Sequence, residues 1–149
     1  MSSDFTIDTT LSTPLFELLG QPAGEPVSLA TRNLLRNLTM QVPSGQRVAA
    51  AMRLPALAGE DLDDLAPFGL AHRTPLWFYV LREAQVATGG ERLGPVGGRI
   101  VGEVIMGLIL GDPHSYLRQD PDWTPTYGVN DAFAFTDLLR SAELVRALD

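Results

Sequence analysis

Apolar residues recur along this chain at helical spacing and are broken by proline and glycine. Nowhere do they alternate with polar residues over the length of a strand. After Ser28, a good N-cap, the pattern predicts a helix running to about Met40. Leu29, Asn33, Arg36 and Met40 share one of its faces by i, i+4, i+7, i+11 spacing. Pro43 and Ser44 restart the chain, and Val48, Ala49 and Met52 mark a short second helix. Residues 59–65 hold Glu60, Asp61, Asp63 and Asp64 and read as a solvated helical turn whose acids favour its N-terminus. Thr74-Pro75 reads as an N-cap followed by proline at the first helical position. Leu76, Trp77, Val80, Leu81 and Ala84 follow at helical spacing, and Gly89-Gly90 ends that helix.

Residues 93–111 predict another helix, unusually rich in glycine at positions 94, 97, 98, 102 and 107. A helical glycine costs roughly 1 kcal/mol against alanine, so the expectation is close packing on that helix. Gly98 and Gly102 lie four apart, on one face, where a leucine would overpack a contact. Asp112-Pro113 begins a turn and a short helix through Leu117. A last amphipathic helix is expected over residues 133–148, with Thr136 or Asp131 as its cap. Residues 1–25 read as an irregular arm, interrupted by Pro14, Gly20, Pro22 and Gly24 and docked through Leu15, Phe16, Leu18 and Leu19. Residues 26–149 form the helical part. The expected fold is all-α, an irregular assembly of short-to-medium helices joined by long Pro/Gly-rich loops. Connections of that length suit a piece of a larger helical protein.

Charge narrows the partners. The net charge is -7 at neutral pH, and the 11 basic residues form no stripe, which argues against nucleic acid and anionic membrane. The strongest apolar run, residues 104–110, is far too short to span a bilayer, and the N-terminus has no apolar signal-peptide core. A cytoplasmic location is the expectation. There is no cysteine. The two histidines, His72 and His114, fall in separate predicted loops, which gives no metal pair. No zinc-protease, P-loop, nucleophile-elbow or calcium-loop motif occurs. Gly94 to Gly98 precede a helix, but no strand comes before them and no lysine follows, so packing outweighs a phosphate cradle. What remains is Asn33 and Arg36, two polar side chains on a face otherwise lined by Leu29 and Met40.

Those residues carry a resemblance. The stretch from Leu29 through Asn33 and Arg36 to Val42-Pro43 resembles the motif of animal-type haem peroxidases in which Asn-x-x-Arg runs along a helix that ends near a Leu-Pro pair. Pro43-Ser-Gly-Gln46, the run from Thr74 to Leu81, Glu83-Ala84, the segment from Gly90 to Val101, and Asp112-Pro with Ser115-Tyr116-Leu117 are similar to the bacterial branch of that family. Ile7-Asp8 and Leu15-Phe16 resemble the segment before the asparagine helix.

The resemblance implies that Asn33 accepts a hydrogen bond from the histidine that ligates the haem iron. It implies that Arg36 lies by a haem propionate and that Leu29 belongs to the same cofactor-binding face. In the family the ligand histidine and the distal catalytic residues lie upstream of this helix. Here 32 residues precede Asn33 and none is histidine. The chain therefore resembles the C-terminal portion of the domain, an incomplete oxidoreductase domain. It would supply proximal-side haem support to a hydrogen-peroxide-driven peroxidase, and no catalytic or metal-ligating residue of its own is assigned. A second chain or a preceding segment would carry the axial histidine, and the uncovered face would favour self-association. The alternative is a non-catalytic remnant or interaction module that keeps the helical scaffold without haem.

Overall fold

A computed structural model describes residues 6–20, 22, 24–128 and 132–142. The fold is all-α. Helices α1 (Leu29–Thr39), α2 (Gly45–Met52), α3 (Leu76–Thr88), α4 (Pro95–Gly111), α5 (Tyr116–Gln119) and α6 (Phe135–Ser141) are joined by loops, with 3-10 helices at Thr13–Phe16 and Glu60–Phe68. No strand occurs among the described residues. None of their helices is long and apolar enough to cross a membrane. The chain divides into two compact units, Met1–Glu103 and Val104–Asp149.

In the first unit the helices start and stop where local chemistry dictates. Ser28 caps α1 by accepting from the Thr31 amide, and Ser44 caps α2 by accepting from that of Arg47. The end of α1 is closed by Gln41 N–H to Leu38 O and Val42 N–H to Asn37 O, both at 3.0 Å. This is the Schellman pattern, and it puts Gln41 in the left-handed region at φ 52°, where glycine is the usual residue. Gly89, at φ 63°, ends α3 in the expected way.

The core of this unit is Ala49, Tyr79 and Val96, packed round by Val48, Met52, Leu76, Val80 and Ile100. Gly45 is required there: an added Cβ would lie 1.9 Å from Tyr79 Cγ. Buried polar groups pin the loops to this core. Thr74 is fully buried and is not the helix cap the sequence suggests; Pro75 occupies that position. The Thr74 amide donates to Gln46 Oε1 at 3.1 Å, and Gln46 Nε2 donates to Thr74 Oγ1 at 2.8 Å and to Ala71 O at 2.9 Å. The Thr74 hydroxyl donates in turn to Leu70 O. A buried polar side chain is stable only when its bonds are made in this way. The Tyr79 hydroxyl accepts from Leu57 N–H at 2.9 Å.

The carboxylate of Glu83, also buried, takes bonds from the amides of Val96 and Gly97, at 3.0–3.1 Å, and so caps α4 across the α3–α4 turn. The acidic 3-10 helix is anchored by buried Leu62, and Asp64 forms an ion pair with Arg82. The arm is tied down by Ile7 N–H donating to Gly90 O at 2.8 Å, by Thr9 Oγ1 donating to Gln85 Oε1 and by an ion pair between Glu25 and Arg32. Leu15 and Leu18 are half-buried, whereas Phe16 and Leu19 are exposed.

Close approach on α4 is confined to its start. A Cβ at Gly94 would lie 2.4 Å from Glu83 Cγ, and one at Gly97 would lie 3.2 Å from Val80 Cβ. Gly98 would meet only ordinary contacts, and Gly102 and Gly107 face open space, so the expected overpacking at Gly98 and Gly102 does not hold.

In the second unit, Tyr116 packs edge-on against Trp123 with ring centroids 5.3 Å apart, and Arg118 donates to Leu110 O. The last described helix starts after Ala134, whose amide donates to Asp137 Oδ2 at 2.9 Å. Thr136 therefore lies inside the helix, and Asp131 and residues 143–148 lie outside the described residues. No described residue of this unit is buried.

Candidate functional site

The amphipathic face of α1 forms one wall of an open groove of about 330 Å³. Asn33 and Arg36 come from α1, and Met40 caps its end. Trp77 and Val80, one turn apart on α3, face them, and Ile100 on α4 lies on the same lining. Asn33 and Arg36 meet here because they are three residues apart on a helix whose apolar neighbours turn the same way. Trp77 and Val80 meet here for the same reason on α3. Gly97 lines the groove as well, and its missing side chain leaves room beside Val80.

Leu29 is half-buried on α1 but is not on the groove wall, so of the three expected cofactor residues the structure brings together Asn33 and Arg36. Neither of those two side chains is engaged in an ion pair or hydrogen bond among the described residues, and Asn33 is half-buried. An apolar groove with a few convergent polar groups is the usual composition of a small-molecule site. The volume lies at the small end of the usual range, roughly 300–1,000 Å³, which suits the edge of a larger group.

The groove is not covered from the solvent side. Met40 is 68% exposed, and Leu34, Leu35 and Leu38 on α1 are exposed too. No residue of α1 is buried. Neither His72 nor His114 lines the groove, and both are exposed. No cluster of three or more histidine, aspartate or glutamate side chains able to hold a metal occurs among the described residues.

Two features were not legible as site features. Trp77 read as one more apolar position of its helix, and only the packing of α3 against α1 makes it the opposite wall. Glu83 fixes the start of α4, and thereby Gly97 and Ile100, yet nothing in its spacing announces a cap thirteen residues away. No family model, no curated protein and no solved structure matches the chain.

Proposed function

We propose that this chain is the C-terminal portion of a haem-dependent peroxidase of the animal-type family and supplies support on the proximal side of the haem. The observation that carries the reading is the groove in which Asn33 and Arg36, both without partners among the described residues, stand beside an apolar wall of Met40, Trp77, Val80 and Ile100. The lining suits the edge of a flat apolar group bearing carboxylates. The Arg36 guanidinium would bind a propionate, and the Asn33 amide oxygen would accept from the N–H of an axial imidazole. No histidine lines the groove, so the axial histidine this reading calls for has to come from another segment or chain. When bound, haem supplies the iron at which peroxide is reduced; this chain's own part is to orient and to hold. Met40, on the groove wall and largely exposed, supports the same reading, because such surface calls for a covering partner.

Free imidazole can stand in for the missing ligand. The full chain is titrated with haemin in the presence of imidazole, and the Soret band is followed. Binding should be weakened roughly tenfold to a hundredfold by Asn33→Ala, as is usual for groups that orient a ligand. Arg36→Gln should weaken it as well. The chain alone should show no peroxidase turnover above that of free haem, since acid–base groups on the distal side are typically worth about 10²–10⁴-fold. A Soret response that is absent, or indifferent to both substitutions, would leave the non-catalytic interaction module as the better reading.

A further inference from the structure

We propose a second ligand site, for a small amphipathic oxyanion, in the cavity formed by the end of α1, the start of α2 and the turn before α3. The ligand would have an apolar body that ends in a carboxylate or a phosphate. The cavity holds about 590 Å³, well inside the range of roughly 300–1,000 Å³ for small-molecule sites. Arg47 and Arg73 both line it. The chain has 18 acidic side chains against 11 basic ones, so an arginine here has no shortage of potential partners. The ion pairs among the described residues engage Arg32, Arg82, Arg99 and Arg140. Arg47 and Arg73 have none, and no carboxylate lines the cavity among the described residues.

Two uncompensated guanidiniums at one concave site present forked donors of the kind that match carboxylate and phosphate oxygens. Asn37 and Gln41 line the same cavity and add neutral amide donors. Gln41 is the residue held at φ 52°, where glycine would be unstrained. A glutamine there keeps an amide at the cavity that glycine could not supply, and strain of this kind gathers at ligand sites. Leu38 and Leu70 complete the lining and call for an apolar body rather than a bare ion. Asn37 and Val42 line both this cavity and the groove, but Asn33 and Arg36 line only the groove and Arg47 and Arg73 only this cavity, so substitutions distinguish the two sites.

The test uses the full chain and titration calorimetry with octanoate, octyl phosphate, octan-1-ol, inorganic phosphate and polyglutamate. Octanoate or octyl phosphate should bind, and whichever binds more tightly identifies the head group. Octan-1-ol and inorganic phosphate should each bind at least about tenfold more weakly, because each lacks half of the recognition. Arg47→Gln and Arg73→Gln should each weaken the better ligand by roughly tenfold, while Asn33→Ala leaves it unchanged. Both arginines are exposed, so the fold should survive, and a circular-dichroism melt verifies it. The unaltered chain gives a second readout: the amide resonances of Gln41 and Arg47 should move on addition of the ligand. Binding that ignores both arginine substitutions, or that leaves those resonances in place, overturns the proposal. So does failure of both anions to bind, including the case in which polyglutamate binds instead and assigns the cavity to an acidic protein segment.

Discussion

The two ends of α4 are similarly apolar and fare differently. At its start Val96 is fully buried and Gly97 is buried beside it. Toward its end Val104, Ile105, Met106, Leu108 and Leu110 are all exposed, Leu108 to 69%. The difference lies in what stands around them. Glu83 satisfies the first amides of the helix, and Val80 and Ile100 join the packing there. No residue after Gly97 in α4 is buried. A helix that is apolar on every side belongs inside a core, and the second half of α4 is apolar surface that the described residues of its own unit leave exposed. Leu34, Leu35 and Leu38 of α1 are exposed as well, outside the groove. One region is a closed core and the other an exposed apolar surface, and substitutions can separate the two.

The largest contrast should come from truncating one apolar side chain in each region. Tyr79→Ala empties the centre of the core and should cost about 3–5 kcal/mol, the usual range for a buried aromatic. Leu108→Ala should change stability by no more than about 0.5 kcal/mol in the isolated chain, as for other surface positions. Urea unfolding of both variants measures the two values. A Leu108→Ala cost comparable to that of Tyr79→Ala would mean that the end of α4 is buried and would remove the distinction.

Two carboxylates sharpen the same contrast at smaller scale. Glu83 is 3% exposed and takes its bonds from backbone amides, so Glu83→Gln should cost about 1.5–3 kcal/mol, the range for hydrogen bonds to a charged group. Glu103 pairs with Arg99 at 2.6 Å on the exposed surface of α4. Glu103→Gln should cost about 0–1 kcal/mol and less in high salt. Equal losses in thermal melts would show that the Glu83 bonds do no more than a surface ion pair.

The core should also respond to alkaline pH. Burial pushes the Tyr79 hydroxyl above the usual phenol value of 10.0, aided by the negative charges of Glu83 and Asp61, while the bond from Leu57 opposes the shift. The unfolded chain loses this proton at a lower pH than the folded one. The associated stability is therefore intact below about pH 10 and is lost as pH rises through the folded value. The melting temperature should fall above pH 10, and Tyr79→Phe should remove that part of the slope. An unchanged slope in Tyr79→Phe would place the titration elsewhere.

Much of this architecture is legible in sequence because it rests on local rules. Ser28, Ser44 and Gly89 mark helix ends by chemistry that acts within a few residues, and helical spacing puts Asn33 and Arg36 on one face. The parts that were not legible depend on distant partners. Thr74 looks like a cap because it precedes proline, but Gln46, 28 residues away, binds both its amide and its hydroxyl and draws it inside. Leu29 shares the α1 face yet misses the groove, because the face is longer than the wall that Trp77 and Val80 complete.

Gly94, just before α4, and Gly102, within it, extend the contrast to substitutions that differ in sign. In sequence they form one class, whose cost in a helix predicts close packing there. The structure divides them. Gly94 sits against the buried Glu83 side chain, which is fixed by the amides of Val96 and Gly97 and cannot swing aside. Gly94→Ala should therefore destabilise, by about 1–3 kcal/mol, as overpacking usually does. Gly102 has nothing within 4 Å of an added Cβ, so alanine meets no neighbour there and only the backbone term remains. That term favours alanine in mid-helix by roughly 0.5–1 kcal/mol, because glycine loses more conformational freedom on folding. Gly102→Ala should thus raise the melting temperature of the isolated chain slightly. If a partner covers this stretch of α4 and needs the glycine for close approach, the same substitution should weaken association while it stabilises the free chain. Stabilisation of the free chain together with unchanged association would show that the partner does not press on Gly102. Destabilisation of the free chain would show that the end of α4 is already packed, and the contrast between its two halves would fail.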